Sequence, residues 1–185
     1  MRKILGLVAS AACALALAVV GSGSANAGTE AVLGTWACSV PAGRTYTRVQ
    51  SQLGVCSPTG FANSYYIETP VSGLWACTVP SGFSYSRVQS QLNVCSTSGF
   101  ANSYLLESPR GGVWMCNVPY GYTYSRVQSQ LNVCSTSGFA NSYLVETPRS
   151  GLWACSVPAG FTYSRVQSQL NVCSTSGFAN SYLLV

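Results

Sequence analysis

Histidine and aspartate are absent from the 185 residues, and lysine occurs once, at Lys3. Charged residues make up 7% of the chain, where ordinary soluble domains carry about 25%. Without histidine, neither a Ser-His-Asp nor a Cys-His catalytic unit can be assembled, and histidine-containing zinc sites are excluded. Glutamate is the only acid, and Glu68, Glu107 and Glu146 stand 39 residues apart. A catalytic carboxylate pair needs its two acids within about 10 Å. No enzymatic activity, cofactor or metal is therefore expected.

Long apolar runs are equally scarce. One exists, residues 4–20, preceded by Arg2 and Lys3 and followed by a small, polar stretch ending Ala25-Asn26-Ala27. That layout predicts a secretory signal peptide over residues 1–27, cleaved after Ala27. Its rival is an uncleaved anchor, because a mostly apolar run of 17 residues sits at the lower limit for spanning a bilayer. A lipoprotein site at Cys13 is excluded by its position inside the apolar run. Residues 28–33 form a short leader. The expected mature chain has no membrane span and is secreted, periplasmic or on the cell surface. It carries seven Arg against four Glu, too mild a balance for a nucleic-acid partner.

What the chain does contain is repetition. Trp36, Trp75, Trp114 and Trp153 recur every 39 residues, and two cysteines follow each of them at constant spacing. Four units result: residues 34–72, 73–111, 112–150 and 151–185. Segments 85–105, 124–144 and 163–183 are identical, which indicates recent duplication. With two cysteines per unit in an exported chain, disulfides are expected. The repeat selects Cys38–Cys56, Cys77–Cys95, Cys116–Cys134 and Cys155–Cys173. A 39-residue unit is below the size that folds on an apolar core alone. Closing an 18-residue loop adds about 3 kcal/mol, comparable with what so small a core yields.

Within a unit the pattern predicts an α+β fold, a β-α-β unit with a small antiparallel sheet and one short helix. In the second unit, residues 74–79 read as a strand. Val79-Pro80-Ser81-Gly82 reads as a type I turn. Ser86-Arg87-Val88-Gln89 matches a capping box and predicts a helix from Arg87 to about Asn93, with Val88 and Leu92 as its apolar edge. Residues 100–106 read as a second full strand. Glu107 to Gly111 forms a short Pro-bearing linker that should restrict the orientation of neighbouring units.

The candidate binding residues follow from that placement. Arg48, Arg87, Arg126 and Arg165 and the amides Gln89, Gln128 and Gln167 lie on the exposed side of the predicted helix. They suit hydroxyls, carboxylates or phosphates, although a solvated helix face would look the same. Tyr85, Tyr124 and Tyr163 precede the helix, and Tyr104, Tyr143 and Tyr182 lie on the second strand. Each could equally be ordinary packing. Four tryptophans at fixed spacing suggest stacking platforms for sugar rings, but each shares a face with the first cysteine of its unit, and core beneath the helix is the expected role.

The stretch Val79-Pro80-Ser81-Gly82-Phe83-Ser84-Tyr85-Ser86-Arg87-Val88 resembles the opening of a LysM peptidoglycan-binding module. The likeness covers about a quarter of a unit. It lacks the family's second helix and adds a cysteine pair that is not the family's hallmark. It implies a strand, a turn and a capped helix, and points to glycan.

These features lead to an expected secreted, non-enzymatic repeat protein that binds an extracellular or cell-wall polysaccharide multivalently. The alternatives are a structural or self-associating coat protein and a secreted toxin or inhibitor.

Overall fold

A computed structural model of the chain describes residues 34–185; the predicted signal peptide and leader lie outside the described residues. The fold is all-β. Each unit is one three-stranded antiparallel sheet, and among the described residues there is no helix. The strands are β1 (Thr35–Ala37), β2 (Thr45–Leu53) and β3 (Phe61–Glu68) in the first unit, and β4 (Trp75–Ala76), β5 (Ser84–Leu92) and β6 (Phe100–Glu107) in the second. The third has β7 (Val113–Met115), β8 (Thr123–Leu131) and β9 (Phe139–Glu146); the fourth has β10 (Trp153–Ala154), β11 (Tyr163–Leu170) and β12 (Phe178–Leu184). In every sheet the last strand of the unit is central, as in the order β4-β6-β5.

The predicted α+β class and its β-α-β unit are thus overturned: the segment expected to be helical is β5 and its counterparts. Val88 and Leu92 are four apart, a spacing that fits both the helical period and the strand period of two. The competing helix would have had about two turns, rich in Ser, Gln and Asn, and short helices are marginal in water. As a strand, the same residues pair with β6 from Ser84↔Glu107 to Leu92↔Phe100. Ser86, the presumed helix cap, is instead the extra residue of a β-bulge between Tyr85 and Arg87. The helix implied by the LysM resemblance is absent with it.

The turns also differ from expectation by one residue. Phe83 N donates to Pro80 O at 3.1 Å, so Pro80 opens the turn and Gly82, with φ 84°, occupies its third position. A positive φ there is the type II geometry that requires glycine. The first strand is also shorter than residues 74–79, ending at Ala76. The second strand lies where expected. Its hairpin with β5 closes through a left-handed Asn93, φ 56°, whose place in the first unit is taken by Gly54 at φ 73°.

All four disulfides pair within their units as the repeat predicts, each with Cα atoms 5.2 Å apart. The core is thin. Leu106, Val145 and Leu184 are fully buried on the central strands, with Ala76, Met115 and Ala154 on the short strands beside them. Full burial of one such aliphatic side chain stabilises by about 1.5–3 kcal/mol, so few residues carry each unit.

The units are stitched together along the strand edges. The outer edge of β2 receives the second unit: Cys77 N donates to Tyr46 O at 2.8 Å and Val49 N donates to Val94 O at 3.0 Å. The same two bonds recur as Cys116 N to Tyr85 O and Val88 N to Val133 O, then as Cys155 N to Tyr124 O and Val127 N to Val172 O. A buried hydroxyl of Thr45, Ser84 or Thr123 seals each joint, as where Thr123 Oγ1 donates to Ser156 O at 2.8 Å. Each joint engages two points beside one disulfide of the incoming unit, Cys77 and Val94 flanking Cys77–Cys95.

Candidate functional site

Strand register sorts the candidate residues onto two faces. Trp75 and Arg87 both sit opposite Leu105, one on each side of the central strand. Directly opposed residues share a face of an antiparallel sheet. Trp36 and Arg48 flank Tyr66 in the same way; Trp114 and Arg126 flank Leu144, and Trp153 and Arg165 flank Leu183. The bulge keeps Arg87 in this row despite the extra residue before it. All four arginines are exposed, and Gln89, Gln128 and Gln167, two residues further along on the same face, are half-buried.

Because the first strand of each unit abuts the outer strand of the unit before it, these rows run on from sheet to sheet. At the first joint they enclose a cleft of about 510 Å³ lined by Trp36, Arg48, Tyr66, Glu68 and Trp75. Trp36 and Tyr66 meet with ring centroids 5.4 Å apart. Glu68 Oε1 accepts a 2.9 Å hydrogen bond from Thr47 Oγ1, which holds the carboxylate on this face. Two indoles offer flat apolar surfaces for stacking, while the guanidinium and carboxylate supply a donor fork and an acceptor. That combination suits a ligand with apolar ring faces and polar edges.

The tyrosines are elsewhere. Tyr85 pairs with Leu106 and Tyr104 with Val88, on the opposite face, so they do not converge with the arginines. They pair with one another instead, Tyr46–Tyr65 and Tyr85–Tyr104 edge-to-face at 5.0 Å, Tyr124–Tyr143 edge-to-face at 5.1 Å and Tyr163–Tyr182 tilted at 5.1 Å. Burial pushes the phenols of Tyr46 and Tyr85 above their ordinary value of 10.0, and their neighbours Tyr65 and Tyr104 add to it. For Tyr124 burial again comes first, followed by Tyr143 and by Tyr182 of the next unit. Unfolded tyrosines therefore lose their protons first. The stabilising contribution is complete below about pH 10 and is lost as pH rises through the higher folded values. Alkaline titration followed by tyrosinate absorbance should show a late-ionising group, with stability falling over that same window; titration of every tyrosine together at the ordinary value would contradict this.

The tryptophans are not the covered core that the sequence leads one to expect. With no helix to cover it, Trp36 is 44% exposed and the other three are half-buried. A second feature went unread: Leu92 and Phe100, paired at the hairpin end, are 54% and 72% exposed, and the other units repeat this. Glu107, the last residue of β6, makes a local ion pair, its Oε2 lying 4.0 Å from Arg110. No group of His, Cys, Asp or Glu among the described residues is placed to hold a metal ion, and no helix among them is long and apolar enough to cross a membrane.

Fold and surface together define a class: a linear array of disulfide-stapled three-stranded sheets bearing one aromatic–cationic row. Compared with protein families, curated proteins and solved structures, the chain gives no match.

Proposed function

We propose that this is an exported, non-enzymatic array that binds an extracellular or cell-wall polymer, a glycan foremost, along its Trp–Arg face. The observation that carries this reading is the recurrence of Trp and Arg in one lateral row of all four sheets, opening into the cleft at Trp36, Arg48 and Trp75. Sugar rings present apolar faces to indoles and hydroxyl edges to guanidinium and carboxylate groups. A Trp–Arg row repeated along one array gains avidity on a repeating ligand by effective concentration. Four disulfides suit the oxidising environment in which such a polymer is met.

The test is retention on insoluble cell wall, chitin and cellulose. Replacing Arg48, Arg87, Arg126 and Arg165 together with Ala should weaken retention at least tenfold while leaving the thermal unfolding midpoint unchanged, since all four are exposed. Undiminished retention of that variant, or no retention of the parent on any polymer, would remove the proposal.

A further inference from the structure

The two ends of the described array are unequal, and they are complementary. At the three internal joints the receiving residues are covered: Thr45, Ser84 and Thr123 are 0% exposed, and Val49, Val88 and Val127 are 8%, 6% and 6% exposed. The corresponding residues of the fourth unit are open, with Val166 at 47% and Tyr163 at 51% and Thr162 exposed. The outer edge of β11 therefore presents the carbonyl of Tyr163 and the amide of Val166, the groups that Tyr124 and Val127 use to hold the fourth unit.

The first unit shows the converse. Val55 is 59% exposed and Cys38 is exposed, whereas Val94, Val133 and Val172 are half-buried against the preceding unit. The match extends to sequence. Thr162-Tyr163-Ser164-Arg165-Val166 is identical to Thr123-Tyr124-Ser125-Arg126-Val127, and Cys38-Ser39-Val40-Pro41-Ala42-Gly43 is identical to Cys155-Ser156-Val157-Pro158-Ala159-Gly160. Every docking residue of the third joint thus has a duplicate on the two open ends.

We propose that copies of this chain associate head to tail, the first unit of one docking on the β11 edge of another and reproducing the internal joint. Cys38 N would donate to Tyr163 O and Val166 N to Val55 O, and the hydroxyl of Thr162 would meet Ser39 as Thr123 meets Ser156. Such a contact is heterologous, so it propagates into a ring or an open filament rather than stopping at a two-fold dimer. It also covers an unpaired strand edge, the feature by which sheets recruit further strands. Trp36 would then lie beside Arg165 of the neighbour, extending the Trp–Arg row across copies. The association requires no polymer.

Sedimentation of the purified, oxidised protein over a range of concentrations tests this. The weight-average mass should at least double towards the upper end of the range. Val166→Asp blocks only the receiving edge and Val55→Asp only the docking face, and both positions are exposed enough to accept the change without unfolding. Each variant alone should remain a monomer. An equimolar mixture should form a one-to-one complex and nothing larger, because only one productive pairing survives. A parent that stays monomeric throughout, variants that associate as the parent does, or a mixture that gives no complex would each overturn the proposal.

Discussion

Replacing Cys116 and Cys134 together with Ser should destabilise the oxidised protein by about 3 kcal/mol through loss of the loop constraint. It should cost a further ~1–2 kcal/mol through weakening of two hydrogen bonds at a joint. Replacing Cys38 and Cys56 should cost only the first amount. The two bonds close loops of the same separation, 18 residues, so chain entropy does not distinguish them. What differs is position. Cys116 N donates to Tyr85 O and Val133 O accepts from Val88 N, so the bond clamps two docking points of a joint. Cys38 and Val55 have no preceding unit to dock on among the described residues. Denaturant unfolding of dilute protein under oxidising conditions measures both variants. Equal losses would mean that the disulfides do not organise the joints. The effect is large because native domains have only about 5–15 kcal/mol in reserve.

Asp at position 127 should be costly, and the same Asp at position 166 nearly neutral. Val127 is 6% exposed beneath the fourth unit, and Val166 is 47% exposed. Their local sequences are identical, so strand propensity and charge change alike in both. Burying a carboxylate without a partner costs several kcal/mol, and about 3–4 kcal/mol is expected for Val127→Asp. Val166→Asp should stay within about 0.5 kcal/mol. Thermal or denaturant unfolding below the association range gives the comparison. Similar losses at the two sites would show that the fourth unit does not cover Val127.

The period of 39, the four disulfides and the final strand of each unit are legible in the residues. Cysteine and tryptophan spacing expresses covalent and packing constraints that survive without coordinates. The helix was misread because Ser86-Arg87-Val88-Gln89 satisfies a local capping pattern, and because the Val88–Leu92 spacing serves both periods. What decides is the partner strand, Phe100–Glu107, a pairing that a local pattern does not contain. A tryptophan sharing a face with the cysteines reads as core only if a helix lies above it, and no helix does. Arg87 and its equivalents are exposed as expected, but on a sheet face, and the tyrosines lie on the opposite one. The two recurring bonds of each joint are not legible in the residue types. They run between main-chain groups such as Val88 N and Val133 O, which every residue except proline possesses.

That last property bears on how the gene can change. A joint whose two recurring bonds are written in main-chain atoms, with the buried hydroxyl of Thr45, Ser84 or Thr123 meeting a small polar residue of the next unit, asks little of the side chains at any one boundary. Unequal recombination that adds or removes one unit therefore keeps both main-chain bonds available at every new boundary. Compensating substitutions are not needed, and array length becomes a quantity that selection can adjust in whole steps.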